Sequence, residues 1–240
     1  MIAYPDSWES VGQPISIKQI EDTLMSVISS INCDCIALSE GIDSSLLMWF
    51  MWKTNRRINA FTIGSSDVHP DVENARHICK VFGGIHHRVY EPHPRVIEAN
   101  ERDGDLPGDV AVRLFYDYVS QYTDRIIAGD GIDEFMCGYY AHQKSPPEAK
   151  YYDILSRLQD EQLKPLDRNS AGVKVFLPYL APEVTNLLSR IPISSKVNAE
   201  QRKILMVEMA SDKLPDEIIK RRKYGFCDAF QIKETANATT

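Results

Sequence analysis

The side chains best suited to chemistry lie in one short segment, between an apolar run at residues 35–38 and another at residues 46–50. This order predicts a buried strand that turns sharply into a helix. Such a turn leaves backbone N–H groups unpaired, and together with the positive end of the helix dipole these groups attract phosphate. Asp43 adds a hard oxygen ligand of the kind that Mg²⁺ prefers. Three hydroxyl groups supply further donors, those of Ser39, Ser44 and Ser45.

A second acidic segment follows a short apolar run at residues 125–128, where glycines flank Asp130 and two more carboxylates come within one helical turn. Carboxylates near a helix start are common, because they stabilise the positive end of the helix dipole. Together with the first segment, however, the pattern predicts a second Mg²⁺ ligand opposite Asp43, and Asp133 is the candidate.

The elements that position these residues alternate between strands and helices along the first part of the chain. Strands are predicted at residues 34–39, 58–63, 85–90 and 125–128, and helices at residues 17–31, 70–82 and 110–122, with one more ending near residue 54. This alternation is typical of an α/β fold with a parallel sheet and helices on both faces. In such sheets ligands bind beyond the carboxyl ends of the strands, where both polar segments would lie.

The pattern changes after about residue 145. A Ser-Pro-Pro sequence at residues 145–147 interrupts the chain, and helices are predicted at residues 148–162, 182–190, 199–211 and 216–222. We therefore expect two units. Residues 1–144 would form the α/β domain that binds phosphate, and residues 145–240 would form a helical lobe that packs on the sheet and completes the site.

Residues 38–45 resemble the S-G-G-x-D-S pyrophosphate loop of the PP-loop ATP pyrophosphatases, with Glu40 in place of the first glycine. Three later segments are similar to motifs of the synthetase domain of asparagine synthetases. They are residues 129–139, similar to G-E-G-x-D-E-x-F-G-G-Y; residues 172–181, similar to G-V-E-x-R-x-P-F-L-D; and residues 203–226, similar to K-x-x-L…L-P…R-x-K-x-G-F. The ordered motifs extend the resemblance over nearly the whole chain. It implies that residues 1–144 are a PP-loop domain that binds ATP and Mg²⁺.

The resemblance also implies a role for each site residue. The phosphates that leave as pyrophosphate would contact Ser39, Gly41, Ser44 and Ser45. The adenosine would lie against Leu38, Ile63 and Gly129. Asp43 and Asp133 would bind Mg²⁺, and Lys223 would neutralise charge that develops on the α-phosphate and the leaving pyrophosphate. Asp130 stands at the family's glutamate, a residue that positions or deprotonates the incoming amine.

The family's activity implies an ATP-dependent ligase. A substrate carboxylate would be adenylated with release of pyrophosphate, and ammonia or an amine would then displace AMP. Departures from the family pattern at substrate-facing positions, such as Lys174 and Ala181, leave the carboxylate unassigned. Glu40 leaves open a second hypothesis, a catalytically impaired nucleotide-binding relative with a regulatory or partner-binding role. A third, tRNA thiolation or base amination, is disfavoured because paired catalytic cysteines and a basic RNA-binding surface are not apparent.

Composition and charge narrow the range of partners. The 240 residues carry a net charge of −7 without a long basic run, which disfavours a nucleic-acid partner. No apolar stretch approaches the ~20 residues that span a bilayer. Five cysteines without a C-x-x-C pair predict reduced thiols and a cytoplasmic protein. Because the sheet domain begins almost at once, we expect a stand-alone synthetase domain without the family's glutaminase domain. Its nitrogen would come from free ammonia, from a separate glutaminase subunit or from an amine on the substrate, and a homodimer also stays open.

Overall fold

A five-stranded parallel sheet in the order β3-β2-β1-β4-β5 forms the centre of the molecule. The structure, a computed structural model, describes residues 15–39, 41–82, 86–144 and 147–220, with only the backbone of residues 70, 71, 86 and 87. The strands are β1 (Cys35–Ala37), β2 (Asn59–Ile63), β3 (His86–Tyr90), β4 (Arg125–Ile127) and β5 (Lys174–Phe176). The predicted α/β class with a parallel sheet is therefore confirmed.

Helices surround the sheet. Before residue 145 they are α1 (Ile17–Ser30), α2 (Ile42–Lys53), α3 (Pro70–Val81), α4 (Pro94–Ala99), α5 (Asp109–Val119) and α6 (Ile132–Phe135). After it they are α7 (Pro147–Leu158), α8 (Lys164–Asn169), α9 (Pro182–Leu188), α10 (Ile193–Lys196), α11 (Ile204–Ala210) and α12 (Asp216–Ile219). A π-helical turn, Gln159–Leu163, joins α7 to α8, and the 3₁₀ turns are Tyr140–Gln143 and Pro178–Leu180. Among the described residues, no helix combines the length and the apolar character needed to cross a membrane.

Two helices pack against each other beside β1 and differ in how they are built. α1 begins at a capping box, in which the Gln19 N–H donates to the Ser16 hydroxyl at 3.2 Å and the Ser16 N–H donates back to the Gln19 side chain at 3.0 Å. It buries a single stripe of residues, Ile20, Leu24 and Ile28. α2 is buried on nearly all sides and contacts α1, α11 and β1. Its first turn is half-buried at Ile42 and Asp43 and buried at Ser44 and Ser45, and it carries residues of the candidate site.

β5 is a strand in the segment after residue 145, which was expected to be mostly helical. Its register pairs Val175 with Ile126 of β4, and the Ala128 N–H donates to the Phe176 carbonyl at 2.9 Å. A strand of three residues is too short to show a period-2 pattern, and it becomes a strand here because β4 offers an open edge. The sheet thus contains both predicted units, whose division at residue 145 stays a prediction.

Candidate active site

Hydrogen bonds among its own residues hold the loop between β1 and α2. The Ser39 and Ser44 hydroxyls lie 2.9 Å apart, and the Ser39 N–H donates to the Ser44 hydroxyl at 3.1 Å. Gly41 caps α2 in an extended conformation, and its N–H donates to the Ser39 hydroxyl at 3.2 Å. Ser45 is fully buried, and its hydroxyl has no hydrogen-bond partner within the described residues. Hydroxyl groups and a helix start therefore converge, which is the arrangement that the phosphate prediction requires.

Two carboxylates and one ammonium group meet beside this loop. Lys203 Nζ lies 2.5 Å from Asp43 Oδ2 and 2.6 Å from Asp133 Oδ1. Asp43 lies in the first turn of α2, Asp133 lies in the first turn of α6, and Lys203 directly precedes α11. The structure thus brings together the two residues predicted to bind Mg²⁺ and adds a cation that was not assigned.

The Lys203 side chain is 8% exposed, and its charge is stabilised by its neighbours. Burial lowers the pKa of the Lys203 ammonium, but the carboxylates of Asp133 and Asp43 outweigh burial and hold this pKa above its usual value. The backbone of Lys203 has a φ of +52°, in the left-handed region that side chains other than glycine rarely adopt. A strained backbone at a charged, buried position is typical of functional sites.

The carboxylate pair fits a cation with oxygen ligands. Asp43 Oδ1 is buried and has no hydrogen-bond partner among the described residues, so one ligand position is open. Burying a carboxylate oxygen without a partner is costly, and a bound cation would remove this cost. In the described part of the chain, no group of three or more His, Cys, Asp or Glu residues could hold a metal. A metal at this pair would therefore take its further ligands from outside these side chains, as water or phosphate oxygens.

Two glycines let the segment after β4 approach its neighbours closely. A Cβ atom on Gly138 would lie 1.6 Å from Asp133 Oδ1 and 2.4 Å from Lys203 Cε. Gly131 has a φ of +90°, and a Cβ atom there would lie 2.5 Å from Leu180 Cδ2. A larger residue at either position would displace the side chains that form the site.

The residues predicted to contact adenosine lie at one edge of the sheet. Leu38 follows β1, Ile63 ends β2, and Gly129 follows β4. Leu38 and Ile63 are 2% and 5% exposed. A Cβ atom on Gly129 would lie 3.6 Å from the backbone nitrogen of Ser44, so this glycine packs against the first turn of α2. The structure brings the three residues to the same end of the strands, and their contact with a nucleotide stays a prediction.

The residues predicted to serve the acyl-transfer chemistry are only partly described. Asp130 is half-buried at the same edge of the sheet. Its negative charge interacts electrostatically with the hydroxyl of Tyr116 in α5. Burial raises the pKa of the Tyr116 hydroxyl, and the negative charge of Asp130 raises it further. Lys223 and Glu40 lie outside the described residues, and their roles stay predictions.

A buried carboxyl group follows Asp133 in the chain. Glu134 is 1% exposed, and its Oε1 accepts hydrogen bonds from the Tyr139 hydroxyl and from Gln162 Nε2, both at 2.5 Å. Burial raises the pKa of Glu134 to about 7, and the charge of Asp133 contributes in the same direction. Gln162 comes from the π-helical turn, a local distortion that often occurs at functional sites.

Two contributors to the site were not assigned a role from the sequence. Lys203 forms ion pairs with both carboxylates, and Tyr179 is fully buried with its hydroxyl donating to the backbone carbonyl of Asp43 at 2.9 Å. Both residues lie in motifs that carry the family resemblance, and their place in these motifs could have identified them from the sequence. Their contacts with Asp43 span 160 and 136 positions of the sequence, which no local pattern encodes.

The chain matches known proteins in family and in fold. The family model described as asparagine synthase matches residues 34–171 and 147–239. NMN synthetase from Francisella tularensis is 16% identical, with 89% of this chain and 78% of that chain covered and a TM-score of 0.53. An NH3-dependent NAD synthetase from Campylobacter jejuni is 17% identical, with 84% and 99% covered and a TM-score of 0.41. The likeness to the first of these structures shows a shared fold, and no curated protein matches the chain in sequence.

Proposed function

Because the chain belongs to the asparagine synthase family, we propose that it is an AMP-forming ligase that joins a carboxylate to ammonia or an amine. At the family level it is an ATP-dependent, amidation-type ligase. In the proposed reaction a substrate carboxylate attacks the α-phosphate of ATP and pyrophosphate leaves. The amine then attacks the acyl-adenylate and displaces AMP. The observation that carries the proposal is the cluster of Asp43, Lys203 and Asp133 at the start of α2.

The loop after β1 would bind the phosphates that leave. The proposed contacts are the hydroxyls of Ser39, Ser44 and Ser45 and the backbone of Gly41. Lys203 donates from its ammonium group to phosphate oxygens that enter beside the carboxylate pair. Mg²⁺ held by Asp43 and Asp133 together with phosphate oxygens would neutralise the charge of the leaving pyrophosphate.

The edge of the sheet beyond β4 would hold the reacting carbonyl group. Asp130 lies there, half-buried, and would accept the proton that the amine loses on attack. Lys223 would place its positive charge on the α-phosphate, where negative charge develops. Leu38, Ile63 and Gly129 would exclude water from the adenosine.

The carboxylate is proposed only as a chemical class. β5 carries Lys174 and Phe176 where the family has acidic and basic residues, and the Lys174 Nζ lies 4.8 Å from the centre of the Phe176 ring. This pair cannot reproduce the charges of the family's pattern, so aspartate is not proposed as the substrate.

Product analysis tests the proposal directly. The chain is incubated with Mg²⁺, ATP and ammonia and with a panel of carboxylic acids, and AMP and pyrophosphate are measured. We expect both products in equal amounts, dependent on one acid, and we expect Asp43→Asn to remove them. Nucleotide binding without turnover on any acid would instead favour the catalytically impaired relative that Glu40 suggests. Absence of nucleotide binding would contradict both.

We further propose that the ligase acts in the cytoplasm and that its nitrogen donor is free ammonia, ammonia from a separate glutaminase subunit or an amine. The described cysteines support reduced thiols, since Cys33, Cys35, Cys79 and Cys137 are free and buried. Addition of glutamine with and without cell extract would distinguish the two nitrogen sources. Light scattering of the purified chain would show whether it forms the homodimer that the family resemblance allows.

A further inference from the structure

An arginine beside the candidate site has a fixed guanidinium group. The guanidinium carbon of Arg202 lies 3.7 Å from the centre of the Tyr140 ring, and one of its nitrogens donates to the Gly138 carbonyl at 2.6 Å. Tyr140 is 62% exposed, and Arg202 is half-buried. Within the residues that the structure describes, no carboxylate forms an ion pair with Arg202. The other N–H groups of its guanidinium are therefore available to bind an anion.

The loop that carries Arg202 is held by hydrogen bonds on both sides. Asn198 Oδ1 accepts from the backbone N–H groups of the second and third residues after it, at 2.9 and 2.7 Å. Gln143 Nε2 donates to two carbonyl oxygens of the loop, at 3.1 Å each. These bonds join the loop to the 3₁₀ turn Tyr140–Gln143. The guanidinium and the ring on which it stacks therefore belong to one connected unit.

Arg202 lies beside the cluster of Asp43, Lys203 and Asp133. It directly precedes Lys203, whose ammonium group lies between Asp43 and Asp133. Gly138, the acceptor of the Arg202 hydrogen bond, is packed so tightly on Asp133 and Lys203 that a Cβ atom would overlap both. The guanidinium therefore contacts the same glycine that packs against Asp133 and Lys203.

The charge at this end of the site favours a further cation. Two carboxylates, one ammonium group and one Mg²⁺ together carry a single positive charge, which leaves the charge of a triphosphate largely unneutralised. A guanidinium group presents a planar fork of donors that matches phosphate oxygens in pairs, and stacking on an aromatic ring fixes its plane. Arg202 meets both requirements.

We propose that Arg202 binds the terminal phosphate of ATP, and afterwards the leaving pyrophosphate, at the mouth of the site. Tyr140 is a positioning residue, because its ring orients the guanidinium without touching the phosphate. This role rests on the proposed function, since it requires a nucleotide whose phosphates lie at the loop after β1.

Calorimetric titration with inorganic pyrophosphate and Mg²⁺ tests the assignment, with AMP as the comparison ligand. We expect Arg202→Gln to weaken pyrophosphate binding by about tenfold or more and to leave AMP binding within about twofold. Tyr140→Ala should weaken pyrophosphate binding severalfold, and Tyr140→Phe, which keeps the ring, should restore most of the loss. Arg168→Gln removes the same charge from an exposed arginine of α8 and serves as the matched control.

The outcomes separate this assignment from the function on which it rests. Pyrophosphate affinity unchanged in Arg202→Gln overturns the assignment and leaves the ligase intact. Equal weakening by Arg168→Gln reduces the effect to long-range charge and overturns it as well. If the wild-type chain binds neither pyrophosphate nor ATP in the presence of Mg²⁺, the proposed function fails, and the role of Arg202 fails with it.

Discussion

At the scale of single residues, the site is a balance of charge between Lys203 and two carboxylates. The ammonium group lies against Asp43 Oδ2 and Asp133 Oδ1, while Asp43 Oδ1 has no hydrogen-bond partner among the described residues. A divalent cation bound at Asp43 Oδ1 and at Asp133 would compete with the ammonium group for Asp133 Oδ1 and for the negative charge of the pair, unless phosphate draws the ammonium group away. We infer that Mg²⁺ binds tightly only together with the nucleotide.

Lys203→Met should reveal this competition. The substitution removes the ammonium group that pairs with two partly buried carboxylates, and breaking a buried ion pair costs up to about 3–5 kcal/mol. We expect the variant to unfold at lower temperature and to recover part of the loss when Mg²⁺ is added without nucleotide, whereas the wild-type chain should respond little. Thermal unfolding with and without MgCl₂ measures both effects.

Lys213→Met is the matched control for this experiment. Lys213 also forms ion pairs with two carboxylates, those of Glu21 and Asp212, and its side chain is 6% exposed. Its removal should lower stability without creating a response to Mg²⁺. A stabilisation by Mg²⁺ that is equal in the two variants would contradict a metal site at Asp43 and Asp133.

Glu134 gives the site a pH dependence of known sign. Its pKa rises from 4.5 to about 7 on folding, so between these values the folded chain holds a proton that the unfolded chain has released. The free energy of unfolding contributed by this group falls as pH rises through that window, by up to about 1.4 kcal/mol per pH unit. Glu134→Gln cannot ionise, and its free energy of unfolding, relative to wild type, should rise from pH 5 to pH 7.

Urea unfolding at several pH values measures the difference between Glu134→Gln and wild type. The comparison is made as a difference because burial lowers the pKa of His142 to about 4, which gives both proteins an opposite slope below pH 6.5. Glu148→Gln, at an exposed glutamate of α7, should run parallel to wild type. A parallel course for Glu134→Gln as well would mean that Glu134 is ionised in the folded chain at pH 5.

At the scale of elements, a 3₁₀ turn from the second half of the chain supports the start of α2. The turn Pro178–Leu180 provides the Tyr179 hydroxyl, which donates to the Asp43 carbonyl, and it packs Leu180 against Gly131. The same short segment therefore contacts both loops that carry the predicted metal ligands.

Tyr179→Phe should loosen one of these two contacts. Removal of one buried hydrogen bond costs about 0.5–1.5 kcal/mol, and the ring of phenylalanine keeps the packing. We expect urea unfolding to show a loss of this size, together with a higher KM for ATP. Tyr152→Phe, at a half-exposed tyrosine of α7, is the comparison variant and should change neither quantity. A loss of stability with an unchanged KM would assign Tyr179 to the fold alone.

The sequence predicted the features that a few neighbouring residues encode. It missed the features that depend on contacts between distant parts of the chain. The periodic stripe of α1 and the Gly-flanked acids after β4 are encoded within a few residues, and both were found. β5 consists of three residues and exists because β4 has a free edge, so nothing in its own sequence marks it as a strand. The pairing of Lys203 with Asp43 spans 160 positions, and only the fold reveals it.

At the scale of the whole molecule, the proposed α/β domain and helical lobe share one core. β5 extends the sheet at β4, while α9 and α11 pack on α1 and α2. Residues after 145 also provide Lys203, whose ammonium group pairs with both Asp43 and Asp133. Each predicted unit therefore leaves apolar surface and unpaired charge exposed when the other is removed.

A chain that ends at residue 144 should consequently lose its native packing. It would expose the edge of β4 and the apolar faces of α1 and α2, and burial of such surface is the main source of stability. We expect near-UV circular dichroism to lose its native signal and unfolding to lose its cooperativity. The control is the full chain cleaved between Lys144 and Pro147, which should stay assembled because the contacts between the units remain. Cooperative unfolding of the isolated fragment would show instead that residues 1–144 fold on their own, and that the second half only completes the site.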